Sequence, residues 1–197
     1  MASNNTKYNP PVDIDALKRG DETAFRELFE AYRDRVYNTV LGFVGSEADA
    51  EDLTQDVFIE VFRSVARFRG DSKISTWLYR VAVNAALMHI RSRDRKARRA
   101  RMVDWISFSK NEGRSALQFD HPGIRLENKE KAAVLFNALQ KLPENQRTAW
   151  TLHKIEDLSY EEISGVMQTT LSSVESLMFR ARQNLQKQLN QYYRGND

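Results

Sequence analysis

The chain has 197 residues, ordinary hydrophobic content and a formal net charge of +3, enough for one large domain or two small ones. It contains no cysteine, which excludes disulfides, thiolate metal sites and thiol-based redox sensing by this chain. The N-terminal MASNNTKYNPPVD has no apolar signal-type core and no later stretch approaches membrane-spanning length, so a cytoplasmic protein without membrane insertion is expected.

Almost every periodic segment reads as helix, and no long alternating run argues for a sheet. A short helix is expected near Ile14 to Arg19, followed by a longer one from about Glu22 to Phe43. The next, from about Ala48 to Arg67, carries Leu53, Val57, Val61 and Val65 in steps of four, with Phe58 and Phe62 alongside as part of the packing stripe. Asp49, Asp52, Gln55, Asp56 and Glu60 then form an acidic face pointing elsewhere. Acids near a helix N-terminus favour the macrodipole without any partner, which accounts for Asp49 to Asp52. Asp56 and Glu60 lie beyond the first turn and fit a protein-docking face better. No histidine partner or glycine-rich loop accompanies them, so catalysis and metal binding have no support there.

Arg69-Gly70-Asp71 breaks that helix, and Ser72 to Thr76 make a polar turn containing Lys73. A fourth helix is expected from about Ser75 to Arg93, opening with Trp77, Leu78 and Tyr79 and holding Asn84 in its middle. Aromatic residues beside a polar loop, followed by a basic helix, could receive unstacked bases and steady phosphates. Equally, Trp77, Leu78, Val81 and Ala85 make a normal core stripe. Asn84 needs a hydrogen-bond partner, in DNA or between helices.

From Asp94 to Leu126 the pattern changes. The segment Arg91 to Arg101 holds seven basic residues against the single acid Asp94, and a polar stretch ends in the turn His121-Pro122-Gly123. This reads as a flexible tether, with Trp105, Ile106 and Phe108 available to dock on a partner or a domain. Helices are expected again over Glu127 to Lys141 and, after Pro143, from about Glu144 to His153. The expected architecture is all-α: two small helical domains, residues 1–93 and 127–197, joined by a linker over 94–126.

The last segment, Leu158 to Leu189, reads as a helix-turn-helix. Ser159 and Glu162 have capping-box spacing, and the short helix they start buries Ile163, Val166 and Met167. After the turn Gln168 to Thr170, a second helix opens near Ser172, with Val174, Met178, Ala181 and Leu185 as its apolar stripe. Ser173, Ser176, Arg180, Arg182, Gln183 and Gln186 form the polar face, suited to a major groove. An ordinary helical hairpin with solvated arginines would show the same pattern.

The motifs DAEDLTQDVFIEVFRSVARFRGD, STWLYRVAVN, LPENQRTAWTLHKIEDLSYEEIS and FRAR, in this order and spacing, resemble those of a bacterial RNA polymerase sigma factor. The likeness is to the two-domain extracytoplasmic-function (ECF) group and runs from about Ala24 to Leu189, the tether excepted. The resemblance implies that Asp52, Gln55, Asp56 and Glu60 dock on the beta-prime coiled coil of core polymerase, with the beta subunit as a further contact. It implies that Phe68, Lys73, Ser75, Trp77, Tyr79, Arg80 and Asn84 recognise and open the minus-ten element, with Asn84 on a base at the melted edge and Arg91, Arg93 and Arg95 on phosphates. It assigns the minus-thirty-five element to Ser173, Ser176, Phe179, Arg180 and Gln183. It further implies a free monomer, an anti-sigma partner, no cofactor, and chemistry left to the polymerase.

One departure is visible: basic residues are common in the family where this chain has Glu175 and Leu177. Glu175 is expected to close a capping box with Ser172, or to accept from a cytosine amino group. A stand-alone helix-turn-helix regulator is the rival reading. It explains Leu158 to Leu189 but leaves the acidic helix and TWLYRVAVN idle. No hydrolase, kinase or metalloenzyme motif supports an enzyme, and His89, His121 and His153 are scattered.

Overall fold

A computed structural model describes residues 12–107 and 134–194, and within them every regular element is helical. The N-terminal half contains α1 (Ile14–Lys18), α2 (Glu22–Val44), α3 (Glu47–Ser64) with a 3₁₀ turn at Val65–Arg67, and α4 (Ile74–Ser107). The C-terminal half contains α5 (134–140), α6 (Glu144–Lys154), α7 (Tyr160–Met167) and α8 (Leu171–Arg194).

The helices start where short polar side chains satisfy otherwise unpaired N–H groups. Asp13, Asp21 and Ser46 accept from Ala16, Ala24 and Asp49 at 2.9, 2.8 and 3.3 Å. Gly45 ends α2 at φ 69°, a conformation that glycine adopts without strain, and Ser46 starts α3 immediately, so α2 and α3 form a tight hairpin. Leu28, Tyr32, Val36 and Val40 of α2 meet Val57 and Val61 of α3 and Leu78, Ala82 and Ala86 of α4, all buried. Burying a large apolar side chain of this kind contributes roughly 1.5–3 kcal/mol.

Two expectations need correction. Phe62 does not join the packed stripe: it is 52% exposed, touching Phe25 edge-on at 5.2 Å between centroids, whereas Phe58 is buried. The fourth helix does not stop near Arg93 but continues to Ser107, because the basic run has good helix formers and no glycine or proline. The first part of the expected tether is therefore helical. The proposed docking of Trp105, Ile106 and Phe108, the rest of the tether, and residues 127–133 of the expected fifth helix lie outside what is described.

The relation of the halves, on which residue order is silent, is visible in the packing. They pack on each other, and one continuous core runs from Leu28 and Tyr79 into Leu152, Ile163, Val166 and Met178. A smaller cluster of Ala138, Leu139, Leu142, Ala181 and Leu185 closes the far side of the C-terminal half. Two glycines let the halves approach. A Cβ on Gly42 would stand 2.5 Å from Ile155 Cδ1 and 2.9 Å from Thr151 Cγ2, and one on Gly45 would overlap the Phe136 ring. Phe43, between them, offers its carbonyl to Gln140 Nε2 at 2.6 Å, and the Arg147 guanidinium lies 5.8 Å over its ring.

Candidate nucleic-acid and polymerase interface

Three groups of side chains occupy distinct places. The first is the acidic face of α3. Asp52, Gln55, Asp56 and Glu60 are all exposed, since the stripe built on Leu53, Val57 and Val61 turns them outward. Beside them is a groove of about 500 Å³ between α3 and α4, lined by Asp56, Ile59, Glu60, Arg63, Asn84 and Met88. Ile59 is 47% exposed and Met88 67%. An acidic rim around exposed apolar side chains suits a protein partner. Sequence reasoning missed Ile59 and Met88. The available signal was that Ile59 falls off the four-residue stripe while still being large and apolar.

The second group surrounds the Arg69–Ser72 turn and the start of α4. Phe68 is buried, its ring 5.4 Å from that of half-buried Trp77, and together they floor the turn. Ser75 lies half-buried in the first turn of α4. Asn84 is exposed and sits between the α3–α4 groove and a second cleft of about 230 Å³ that separates α4 from α6 and α7. Arg93 is half-buried and Arg95 exposed.

Four members of this group are engaged by the C-terminal half. Lys73 Nζ meets Glu162 Oε1 at 3.4 Å, and Arg80 Nη2 donates to the Gly165 carbonyl at 2.7 Å. Arg91 forms a two-pronged pair with Glu144. Tyr79 is only 2% exposed, and its hydroxyl donates to Glu156 Oε2 at 2.9 Å. In this arrangement Phe68 and Tyr79 are therefore interior groups rather than surface contacts. Phe68 is held by its own turn and Tyr79 by an acid 77 positions away.

Glu156 is itself 6% exposed. Burial pushes its carboxyl up to about 7, against the opposing influence of the Tyr79 and Thr39 hydroxyls and the Arg35 charge; Asp157 adds to the rise. Burial raises the Tyr79 phenol as well, and the neighbouring Glu156 charge raises it further. At Glu162, burial acts upward but is outweighed by hydrogen bonds from Ser159 and Lys73, so its carboxyl lies below the ordinary value.

The third group is the helix-turn-helix. Ser159 accepts from the Glu162 N–H at 3.2 Å and Glu162 Oε2 accepts from the Ser159 N–H at 3.0 Å, the expected capping box. Gln168 closes α7 at φ 52°, and Ile163 and Val166 are buried, with Met167 half-buried. Val174, Met178, Ala181 and Leu185 are all buried, which turns Ser176, Phe179, Arg180 and Gln183 to solvent. Phe179 is 62% exposed, an unusual position for a large aromatic in a helix with a well-packed opposite face.

The start of α8 differs from expectation. Thr170 is its cap, accepting from the Ser173 N–H at 3.2 Å, and its hydroxyl lies 2.8 Å from that of half-buried Ser173. The helix opens at Leu171, so Ser172 and Glu175 are both inside it and form no capping box. Glu175 is exposed on the same helix as Arg180. Ser173 contributes to the cap as much as to the outer face.

These geometries agree with relationships across the chain. The Sigma-70 region 2 family model matches residues 28–96 and the Sigma-70, region 4 model matches residues 132–185. The RNA polymerase sigma-H factor of Pseudomonas aeruginosa is 35% identical over 183 residues, covering 89% of this chain and 91% of that protein. The ECF RNA polymerase sigma-E factor of Escherichia coli K12 is 35% identical over 173 residues, covering 87% and 90%. In fold, the chain is similar to the sigma factor RpoE of Bartonella quintana, solved with the anti-sigma factor NepR, with a TM-score of 0.61, 20% identity, and 84% and 96% coverage. With both sigma regions matched and relatives of this identity spanning nearly its whole length, the chain belongs to the ECF group of bacterial RNA polymerase sigma factors.

Proposed function

We propose that this sigma factor divides its work between its two halves. Residues 1–93, with α4 extending the unit to Ser107, bind polymerase and open the promoter; residues 127–197 read the upstream element; the intervening tether connects them. The acidic face Asp52, Gln55, Asp56 and Glu60, with Ile59 and Met88 beside it, is the polymerase contact. Asn84 receives a base at the edge of the melted minus-ten element. Lys73, Arg80, Arg91, Arg93 and Arg95 steady the strand, and Phe68, Ser75 and Trp77 shape the turn. Ser176, Phe179, Arg180 and Gln183 read the minus-thirty-five element, with Ser173 at the start of the same helix.

The observation that carries this reading is the pairing of two outward-facing surfaces of different chemistry, one acidic and apolar on α3, one polar and basic on α8. A stand-alone regulator would need only the second. Strand opening requires no catalysis by this chain, because capturing an extruded base offsets an unstacking cost of about a few kcal/mol. Magnesium and bond formation would stay with the polymerase, in the cytoplasm. The anti-sigma factor bound to the Bartonella quintana relative makes a dedicated protein inhibitor part of the reading.

The test is transcription in vitro with core polymerase, with and without the chain, on genomic DNA of the source organism, with start sites mapped. New starts sharing two upstream elements are expected. No new starts, with the core active on a control factor, would sink the reading.

A further inference from the structure

Away from the seam between the halves, the outer face of α8 carries one charged group that the proposed contacts leave without a task. Glu175 lies within the first five residues of the helix and is exposed. The capping role open to it in the sequence is taken by Thr170, so the carboxylate is not engaged at the helix terminus. Its neighbours on the helix surface are the residues three and four positions away. They are Leu171, Ser172, Met178 and Phe179, none of them a cation. Arg180 projects about 140° around the axis from it. Arg182 is roughly 10 Å further along, its Nη2 donating to the Tyr160 hydroxyl at 3.4 Å. Among the described residues no ion pair or hydrogen bond holds the Glu175 carboxylate. Leu171 is 40% exposed and Phe179 more so, and the acid therefore stands between two uncovered apolar side chains in one row.

Such a row cannot hold a phosphate, but it fits one feature of duplex DNA. Recognition helices meet base edges with their N-terminal residues. A carboxylate carried there gives up water to the apolar side chains beside it and faces phosphates on both rims. It is costly in that place unless a donor replaces the water. In the major groove guanine offers two acceptors, and thymine an acceptor and a methyl group. Adenine has an acceptor beside its amino group, and cytosine presents an amino donor alone. Guanine and thymine therefore oppose the carboxylate, adenine meets it with one favourable and one unfavourable group, and cytosine pairs with it unopposed.

We propose that Glu175 is a specificity-determining residue of the minus-thirty-five contact, accepting from the exocyclic amino group of a cytosine and rejecting guanine and thymine at the same position. This rests on the sigma-factor reading and deepens it. Ser176, Phe179, Arg180 and Gln183 supply the general contact, and Glu175 narrows it to one base at one step. A cation at this place, common in the family, would hold a phosphate and strengthen every promoter alike. An acid weakens most sequences and spares those that offer the right amino group, which is discrimination by rejection.

The proposal is tested with holoenzyme, formed from core polymerase and the full-length chain, transcribing a library in which the minus-thirty-five element of a mapped promoter is fully randomised. Sequencing transcripts against input templates gives the base preference at each position. With the wild-type chain, one position should prefer cytosine over guanine and thymine by at least about tenfold, with adenine between them. Glu175→Ala should reduce that preference by about fivefold or more and leave the other positions as they were. Glu175→Gln, of nearly the same size, should move the same position to adenine, because an amide accepts from N6 and donates to N7. Glu175→Arg should move it to guanine, whose O6 and N7 accept from a guanidinium. A role in helix stability alone would not exchange one preferred base for another.

Identical preferences in all four proteins would overturn the proposal. So would a Glu175→Ala protein whose output falls equally on every template, which would make the carboxylate a contact to polymerase instead. Absence of template-dependent starts from the wild type and every variant, with the core active on a control factor, would remove the sigma reading and the proposal with it. That outcome is distinct from paired upstream elements that are found but ignore Glu175.

Discussion

The acidic face of α3 and the basic and phenolic groups of α4 belong to the same half of the molecule, yet the first is open to solvent and the second are engaged by the C-terminal half. Asp52, Gln55, Asp56 and Glu60 meet solvent, whereas Tyr79, Arg80 and Arg91 meet the C-terminal half. The difference lies in what each face can pair with inside the chain. Among the described residues no ion pair joins the α3 acids to α5 to α8, while the basic and phenolic groups of α4 find Glu144, Glu156, Glu162 and a helix carbonyl.

The largest effect expected from breaking this comparison is on the open face. Asp56→Arg reverses a charge at the edge of the α3–α4 groove without entering the core, so helicity and melting temperature should be unchanged. Affinity for core polymerase should fall by about thirtyfold or more, the scale of about 2–5 kcal/mol seen when one partner of a hydrogen-bonded charge pair is lost. Normal co-elution of the variant with core enzyme would remove α3 as the docking surface.

Asn84 stands at the border of the two faces, exposed and next to both the groove and the cleft. Asn84→Ala should leave polymerase binding intact and lower open-complex formation by about tenfold, equivalent to about 1.4 kcal/mol of base contact. Permanganate reactivity in the minus-ten region measures this. Unchanged reactivity would return Asn84 to a structural role.

The smallest effect should come from the helix-turn-helix frame. Ser159→Ala removes the acceptor for the Glu162 N–H and should cost about 1 kcal/mol, read as a few degrees of melting temperature. Because Glu162 also faces Lys73, loosening this cap should weaken the covered face while leaving the α3 face untouched. A stability loss with no change in the separation of the halves would confine the cap to the C-terminal half.

Much of the helical framework could be read from residue order, because caps and periodicity are local. Asp13, Asp21, Ser46 and the Ser159–Glu162 box act within three residues, and Val174, Met178, Ala181 and Leu185 face one way by spacing alone. The second cap of the helix-turn-helix was misplaced by two residues because Thr170 and Ser172 are nearly equivalent as caps, and only the path of the turn chooses between them. Phe62 was misread because a helical stripe has edges, and the width of the neighbouring helix decides which edge residue is covered.

The sequence by itself determined the all-helical class, the acidic and basic faces, and the family to which they belong, since each depends on side chains a few positions apart. The seam was decided only by tertiary structure. Nothing local connects Tyr79 with Glu156, Arg80 with Gly165, or Gly42 with Thr151. Such contacts form when two independently sensible surfaces close within a few ångströms, and a buried acid acquires its altered affinity for a proton only after water has been excluded around it.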